Sequence, residues 1–231
     1  MLEGAPKGPC SCGRPPALCV CPPDPIVDNE VAVLILQHPQ EQDRVLGTAQ
    51  LLAHILVDAR VSVGLSWRNL AHALSSPNEQ RVVDPRQWGV LYLGADKVGN
   101  NTQSSGKEPL VAVDRKGERL ADQTTALAGL KGLVALDGNW AQAKALWWRN
   151  AWLTRLNRLV IVPDVPSLYG NLRREARPDA LSTLEAVALA LSVLESDGTV
   201  RERVMGPFRE LIRRARTAGI RDSKRDRRSR R

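Results

Sequence analysis

The sequence predicts an α/β domain with a mainly parallel β-sheet and helices on both faces. Short apolar segments alternate with segments of helical periodicity along most of the 231 residues, which is the pattern of βαβ units. Hydrophobic residues make up 43% of the chain, enough for a sizeable core. Because only one Phe and two Tyr occur, that core must consist mainly of Leu, Val, Ala and Ile.

Six apolar segments are predicted to be strands, namely residues 31–37, 60–65, 88–93, 110–113, 132–136 and 159–162. Segments of helical spacing lie between and after them, at residues 43–56, 66–74 (with Ser66 as the cap), 123–129, 139–148, 182–194 and 200–218. Asn139 and Ser182 each stand three residues before a Gln or Glu, the spacing of a capping box. We expect Gly206-Pro207 to kink or break the last helix.

The net charge of +8 is concentrated at the C-terminus. Residues 201–219 contain six Arg against two Glu, and residues 220–231 contain seven Lys or Arg against two Asp, so the rest of the chain is nearly neutral. Such an arm suits a polyanionic partner through phosphate neutralisation, and a solvated tail that aids solubility is an equally good interpretation. We therefore divide the chain into a cysteine-rich segment (1–25), an α/β domain (26–198) and a basic helix and tail (199–231).

The sequence shows no targeting or membrane segment. No stretch approaches the roughly 18 apolar residues of a membrane span, and the first residues lack the apolar region of a secretory signal. We therefore expect a cytoplasmic protein without a membrane partner.

All four cysteines lie in one short segment as two Cys-x-Cys pairs, formed by Cys10, Cys12, Cys19 and Cys21. In a reducing compartment, clustered thiols bind metal more often than they form disulfides. Four thiolates can close a tetrahedral structural zinc site, and we predict that these residues are its ligands. The alternative is four free or redox-active thiols without a metal.

Three further segments carry polar residues at or beyond the ends of predicted strands. They are HPQE at residues 38–41, DGNW at residues 137–140, and LRR at residues 172–174 followed by LSTLEA at residues 181–186. In open α/β sheets, ligands bind beyond the carboxyl ends of the strands. These segments therefore predict a ligand site at that edge of the sheet.

With the cysteines, these segments resemble the DTW-domain family of tRNA-uridine aminocarboxypropyltransferases. The matching pieces CSCGRPPALCVC, HPQEQDR, LDGNWAQAKAL and LRREARPDALSTLEA follow the family's order and extend from residue 10 to about residue 191. The chain has Asn139 where the family usually has Thr, and one residue rather than two within its first cysteine pair.

The resemblance implies an activity and a fold. The activity is transfer of the 3-amino-3-carboxypropyl group of S-adenosylmethionine to N3 of a uridine in tRNA, with release of 5′-methylthioadenosine. The fold would be SPOUT-like, with a knot in the C-terminal half of the sheet. The absence of a G-x-G-x-x-G sequence after a strand agrees that no Rossmann-type site is used.

The resemblance also assigns roles to individual residues. Asp137 is the candidate general base for the uridine imide proton, and its alternative role is to cap the following helix or hold the turn. The residues implied for S-adenosylmethionine are Leu93, Gly94, Leu136, Gly138, Asn139, Trp140, Ser182, Thr183 and Glu185. The residues implied for RNA are His38, Glu41, Arg44, Arg173 and Arg174, and the basic C-terminal tail adds Arg225, Arg227 and Arg228 as predicted RNA contacts.

Several of these residues have simpler structural interpretations. Helix capping accounts for Ser182 and Glu185 without a ligand, Trp140 is as readily a core residue as a stacking one, and His38 and Glu41 can hold the first helix. We expect His54 and His72 only to pack or face solvent. Trp147, Trp148 and Trp152 are predicted to be core residues rather than platforms for bases.

Two other functions remain open from the sequence. One is a SPOUT-type RNA methyltransferase that uses the same S-adenosylmethionine, and the other is a non-catalytic, zinc-containing RNA-binding protein. Nothing in the sequence implies an obligate protein partner.

Overall fold

The computed structural model describes residues 10, 12–75, 83–91, 108–172 and 180–220. The strands within these ranges are β1 (Ala32–Gln37), β2 (Ala59–Val63), β3 (Trp88–Leu91), β4 (Leu110–Val113), β5 (Gly132–Asp137) and β6 (Asn157–Ile161). They form one sheet in the order β2-β1-β5-β3-β6-β4. Every pairing is parallel except that of β4, which runs antiparallel to β6 at the sheet edge. The predicted mainly parallel sheet is confirmed.

The helices are α1 (Ala49–Ile55), α2 (Leu70–Leu74), α3 (Gln123–Ala128), α4 (Trp140–Arg149), α5 (Thr183–Leu194) and α6 (Gly198–Thr217). Alternate residues of β1 pack on opposite sides of the sheet, because successive strand side chains point to opposite faces. Val33 and Ile35 join a core with α1, α5 and α6, whereas Leu34 and Leu36 join a second core with α2 and α4. The prediction of helices on both faces is confirmed.

The first helix begins at Ala49, so the predicted start at residue 43 is wrong. Residues 39–41 form a 3₁₀ turn, and residues 42–48 are irregular. The carbonyl groups of residues 45–47 bind side chains from elsewhere in the chain, those of Arg14 and Tyr169. These tertiary contacts override the helical spacing of the apolar residues in this segment.

The predicted cap of the second helix is wrong, and the predicted break in the last helix does not occur. Asn69, rather than Ser66, caps α2, because the Asn69 side chain accepts a hydrogen bond from the His72 backbone N–H at 2.8 Å. Pro207 lies inside α6 without breaking it. The burial of Val204 and Phe208, on either side of Pro207, offsets the cost of losing the backbone hydrogen bond that proline cannot donate.

The cysteine segment and α6 both pack on the α/β domain. Phe208 of α6 is fully buried and meets the ring of Tyr169 edge-on, with the centroids 5.2 Å apart. Arg214 of α6 donates a hydrogen bond to the Cys19 carbonyl at 2.7 Å. The domain boundaries at residues 25 and 199 stay predictions. Within the described ranges, none of the helices has the length and apolar character needed to cross a membrane.

Candidate functional site at the carboxyl edge of the sheet

Asp137 lies at the meeting point of three elements. It ends β5, opposite Gln37 at the end of β1, and its side chain is 5% exposed. One carboxylate oxygen accepts a hydrogen bond from Gln37 Nε2 at 2.9 Å, and the other accepts one from Thr183 Oγ1, on the first residue of α5, at 2.6 Å. The fold thus brings together Asp137 and Thr183, which are 46 residues apart in sequence.

Gln37 is a site residue that the sequence predictions missed. Its amide orientation is set by Asp137, because an ionised carboxylate can only accept hydrogen bonds and so selects the NH₂ end. The Gln37 carbonyl oxygen is buried and has no hydrogen-bond partner among the described residues. An unsatisfied buried acceptor costs about 1–3 kcal/mol, so a bound donor would relieve this cost. The available signal was a polar residue ending an apolar strand, as Asp137 also does.

The turn after Asp137 is closely packed. A Cβ atom on Gly138 would lie 2.8 Å from the Cβ of Gln142, so any larger residue would displace the start of α4. Asn139 and Gln142 form the predicted capping box, with hydrogen bonds of 3.1 and 2.7 Å. Asn139 therefore performs the capping that Thr could provide at this position. Trp140 follows as the first residue of α4 and is 37% exposed.

A second capping box sets the start of α5 beside Asp137. The Ser182 hydroxyl accepts a hydrogen bond from the Glu185 N–H at 3.2 Å. The Glu185 carboxylate accepts hydrogen bonds from the Ser182 N–H (2.8 Å), the Ser167 hydroxyl (2.7 Å) and the Leu168 N–H (2.8 Å). Glu185 thus joins the loop after β6 to α5. Both residues are engaged within the protein and hold Thr183 in place.

The other predicted site residues have different surroundings. Leu136 is half-buried in the core under α2 and α4. His38 is half-buried, and its Nδ1 accepts a hydrogen bond from the Gln40 N–H. Glu41 is 2% exposed and lies 3.7 Å from the Arg44 guanidinium, a placement that suits holding the turn after β1. The predicted residues outside the described ranges are Leu93, Gly94, Arg173, Arg174, Arg225, Arg227 and Arg228.

The four cysteines converge on one point. No disulfide joins them, and their sulfur atoms all lie within 4.8 Å of one another. The Cys12 and Cys19 sulfurs are 3.8 Å apart. Four Zn–S bonds of about 2.3 Å in tetrahedral geometry place sulfurs about 3.8 Å apart. The cluster could therefore hold a zinc ion.

The protein around the cysteines perturbs their acidity. Burial disfavours the Cys12 thiolate, but the Arg14 backbone N–H and the neighbouring thiols together lower the pKa of Cys12 to about 7. Burial raises the pKa of Cys21, and the negative charge of Cys12 raises it further. A metal ion would favour deprotonation of all four.

His54 lies beside the cysteines, although we expected it only to pack or face solvent. Its Nε2 is 3.7 Å from the Cys10 sulfur, and its Nδ1 is 2.7 Å from the Gln50 carbonyl oxygen. Because a carbonyl can only accept, Nδ1 is the protonated nitrogen there. The His54 ring is thus oriented by its own helix toward the thiol cluster.

The three tryptophans predicted to be core residues differ in exposure. Trp152 is 9% exposed, and its indole N–H donates to the Trp67 carbonyl at 3.0 Å. Trp147 is half-buried beneath the Arg158 guanidinium, whose central carbon lies 5.5 Å from the ring centroid. Trp148 is 75% exposed, so its prediction as a core residue is wrong. Helical spacing did not reveal that α4 has only one buried side.

Together, the fold and the site define an α/β protein with a buried carboxylate at the carboxyl edge of a parallel sheet and a four-thiol cluster suited to a metal. A protein-family model described as "DTW domain" matches residues 10–216. The chain therefore belongs to the DTW-domain family, as the sequence resemblance indicated.

Three curated relatives carry the name tRNA-uridine aminocarboxypropyltransferase 2. The protein from Drosophila melanogaster is 32% identical over 204 residues, which is 87% of this chain and 72% of the relative. The Mus musculus protein is 28% identical over 87% of this chain and 60% of its own length. The Macaca fascicularis protein is 27% identical over 91% of this chain and 64% of its own length. The chain thus spans between 60% and 72% of these relatives. No solved structure shows a significant match.

Proposed function

We propose that this protein is a tRNA-uridine aminocarboxypropyltransferase. It would transfer the 3-amino-3-carboxypropyl group of S-adenosylmethionine to N3 of a uridine in tRNA. The observation that carries the proposal is the buried Asp137 carboxylate, held by Gln37 and Thr183 at the carboxyl edge of the sheet. The names of the curated relatives support the reaction class and the tRNA substrate.

Asp137 would act as the general base. Each of its oxygens accepts one hydrogen bond within the protein and keeps a further lone pair for the imide proton of uridine. As that proton moves to Asp137, N3 forms a bond to the propyl γ-carbon and the C–S bond breaks. The bonding electrons neutralise the sulfonium, and the product is 5′-methylthioadenosine.

The surrounding residues fit a cationic co-substrate. S-adenosylmethionine supplies an electrophilic carbon next to its sulfonium and also carries an ammonium group. The unpartnered Gln37 carbonyl oxygen is an acceptor at this edge, and acceptors suit positive N–H donors. Trp140 offers a partly exposed ring for the adenine. Leu93 and Gly94 stay predicted contacts.

We further propose that the cysteine cluster binds a structural zinc ion, because four thiols leave no open coordination position. Reduced cysteines fit a cytoplasmic location. The SPOUT-like knot stays a prediction.

Product analysis tests the proposed reaction. Incubation of the protein with S-adenosylmethionine and unmodified tRNA should release 5′-methylthioadenosine, measured by mass spectrometry. Asp137→Asn should abolish the release while preserving the fold and S-adenosylmethionine binding. Asp122→Asn is the matched control, because Asp122 caps an exposed helix away from this edge. Release of S-adenosylhomocysteine instead would identify a methyltransferase, and tRNA binding without turnover would identify a non-catalytic RNA-binding protein.

A further inference from the structure

Two described stretches of the chain carry exposed cations and contain no acidic residue. Residues 59–75 and 138–163, which contain α2, α4 and the 3₁₀ turn Ala151–Arg155, include no Asp or Glu. The two stretches are joined in space by two hydrogen bonds. The Ser66 hydroxyl donates to the Arg149 carbonyl at 3.2 Å, and the Trp67 N–H donates to the Asn150 side chain at 2.8 Å. They therefore form one continuous surface.

Four exposed cations and one exposed tryptophan lie on this surface. We call the set the Trp148 surface; its members are Arg68, Lys144, Trp148, Arg149 and Arg155. Within the described part of the chain, none of the four cations forms an ion pair or a side-chain hydrogen bond. Lys144 and Trp148 are one helical turn apart and share the outer face of α4.

The arginines of α6 provide a contrast, because the protein itself satisfies them. Arg201, Arg209, Arg213 and Arg214 pair with Asp164, Glu202 or Glu210. Arg203 and Arg216 donate to backbone carbonyl groups. The excess positive charge counted from the sequence of this helix is therefore largely used within the fold, whereas the four cations of the Trp148 surface have no ion-pair partner among the described residues.

We propose that the Trp148 surface binds the RNA substrate, with a base stacked on the exposed indole and phosphates neutralised by the surrounding cations. Base stacking on aromatic side chains, combined with a positive groove, is how proteins bind unpaired RNA. A second copy of this chain is the poorer occupant, because two such surfaces would repel each other. The inference rests on the proposed function for its substrate, tRNA.

The surface is also placed to act together with the candidate site. Helix α4 begins at the DGNW turn that follows Asp137. Trp148 lies eight positions after Trp140, which is about 12 Å along a helix axis. A single RNA could therefore contact Trp148 while presenting a nucleotide at the edge of the sheet.

Equilibrium tRNA binding by the whole protein at several salt concentrations tests the proposal. Trp148→Ala should weaken binding about 5- to 150-fold, as expected for one stacked base, and leave the salt dependence unchanged. Trp148→Phe should recover part of the loss. The triple variant Lys144→Gln/Arg149→Gln/Arg155→Gln should reduce the slope of log K against log salt by about 2–3. The matched control is Arg201→Gln/Arg209→Gln/Arg213→Gln on α6, which should keep the wild-type slope.

Equal slopes for the two triple variants, or unchanged binding by Trp148→Ala, would overturn the proposal. Loss of a dimer in Trp148→Ala, seen by sedimentation without any loss of tRNA affinity, would identify a protein interface instead. Methylthioadenosine release is measured in parallel with wild-type protein. If the wild-type protein binds tRNA through this surface but releases no methylthioadenosine, the proposed reaction is refuted and the proposed RNA-binding surface is supported.

Discussion

Replacing Thr183 by Val tests whether the fold holds the Asp137 carboxylate in place. The two side chains have nearly the same shape, so the change removes the hydroxyl and little else. That hydroxyl donates to a 5% exposed carboxylate at 2.6 Å. A hydrogen bond to a charged group contributes about 1.5–3 kcal/mol to folding stability, so we expect Thr183→Val to lower the free energy of unfolding by about 2 kcal/mol. For a chain of this length, this corresponds to a fall of about 4–8 °C in Tm.

The matched control is Thr199→Val near the start of α6. Thr199, which is exposed, donates a comparable hydrogen bond of 3.0 Å to Asp197, but this bond is open to solvent. Surface changes of this kind alter stability by about 0.5 kcal/mol or less. Urea denaturation of the two variants and wild type gives the difference. If Thr183→Val costs no more than Thr199→Val, Asp137 is not held as we describe.

Three further predictions concern other parts of the protein. Metal analysis should find about one zinc per chain, and Cys12→Ala should lower both the zinc content and the Tm; full-length protein without metal and with stable thiols would contradict this. Burial raises the pKa of Glu195 above its ordinary 4.5, so ionisation of Glu195 favours the unfolded state. The free energy of unfolding therefore falls as the pH rises from 4.5 through the raised pKa of the folded protein. Glu195→Gln should therefore raise the Tm at pH 7.5 and leave it unchanged well below pH 4.5. The exposed control Glu202→Gln should show no such pH-dependent gain. An equal effect of Glu195→Gln at both pH values would contradict the claim that burial disfavours the ionised Glu195 carboxylate. Gln37→Met should weaken S-adenosylmethionine binding about 5- to 10-fold by calorimetry, the contribution of one hydrogen bond, and an unchanged Kd would remove Gln37 from the site.

Local patterns predicted much of the fold because they have local causes. The capping boxes at Asn139 and Ser182 depend on a spacing of three residues and formed as predicted. The continuous apolar strands predicted a parallel sheet because the strands of parallel sheets are buried on both faces. The predicted start of α1 was wrong because the carbonyl groups of residues 45–47, which precede the helix, accept hydrogen bonds from Arg14 and Tyr169. These two residues are distant from the helix in sequence.

The candidate site was predicted only in part, because local motifs identify some of its residues and tertiary contacts determine the others. Asp137 and Thr183 were identified from motifs, but Gln37 was missed, and its place in the site follows from its register opposite Asp137. The charge of the α6 segment was misleading, because a count of residues does not show which arginines have carboxylate partners. The exposure of Trp148 likewise depends on which side of α4 the sheet covers.

The central claim is that Asp137 lies where an aminocarboxypropyl group passes to tRNA, and a double-label transfer assay tests it most directly. S-adenosylmethionine labelled separately in its methyl and carboxyl carbons is incubated with tRNA and either wild-type protein or the Asp137→Asn variant. We predict that the carboxyl label enters tRNA only with wild-type protein, while the methyl label stays in the released thioether. Methyl label in the tRNA, or carboxyl label transferred equally by Asp137→Asn, would contradict the account.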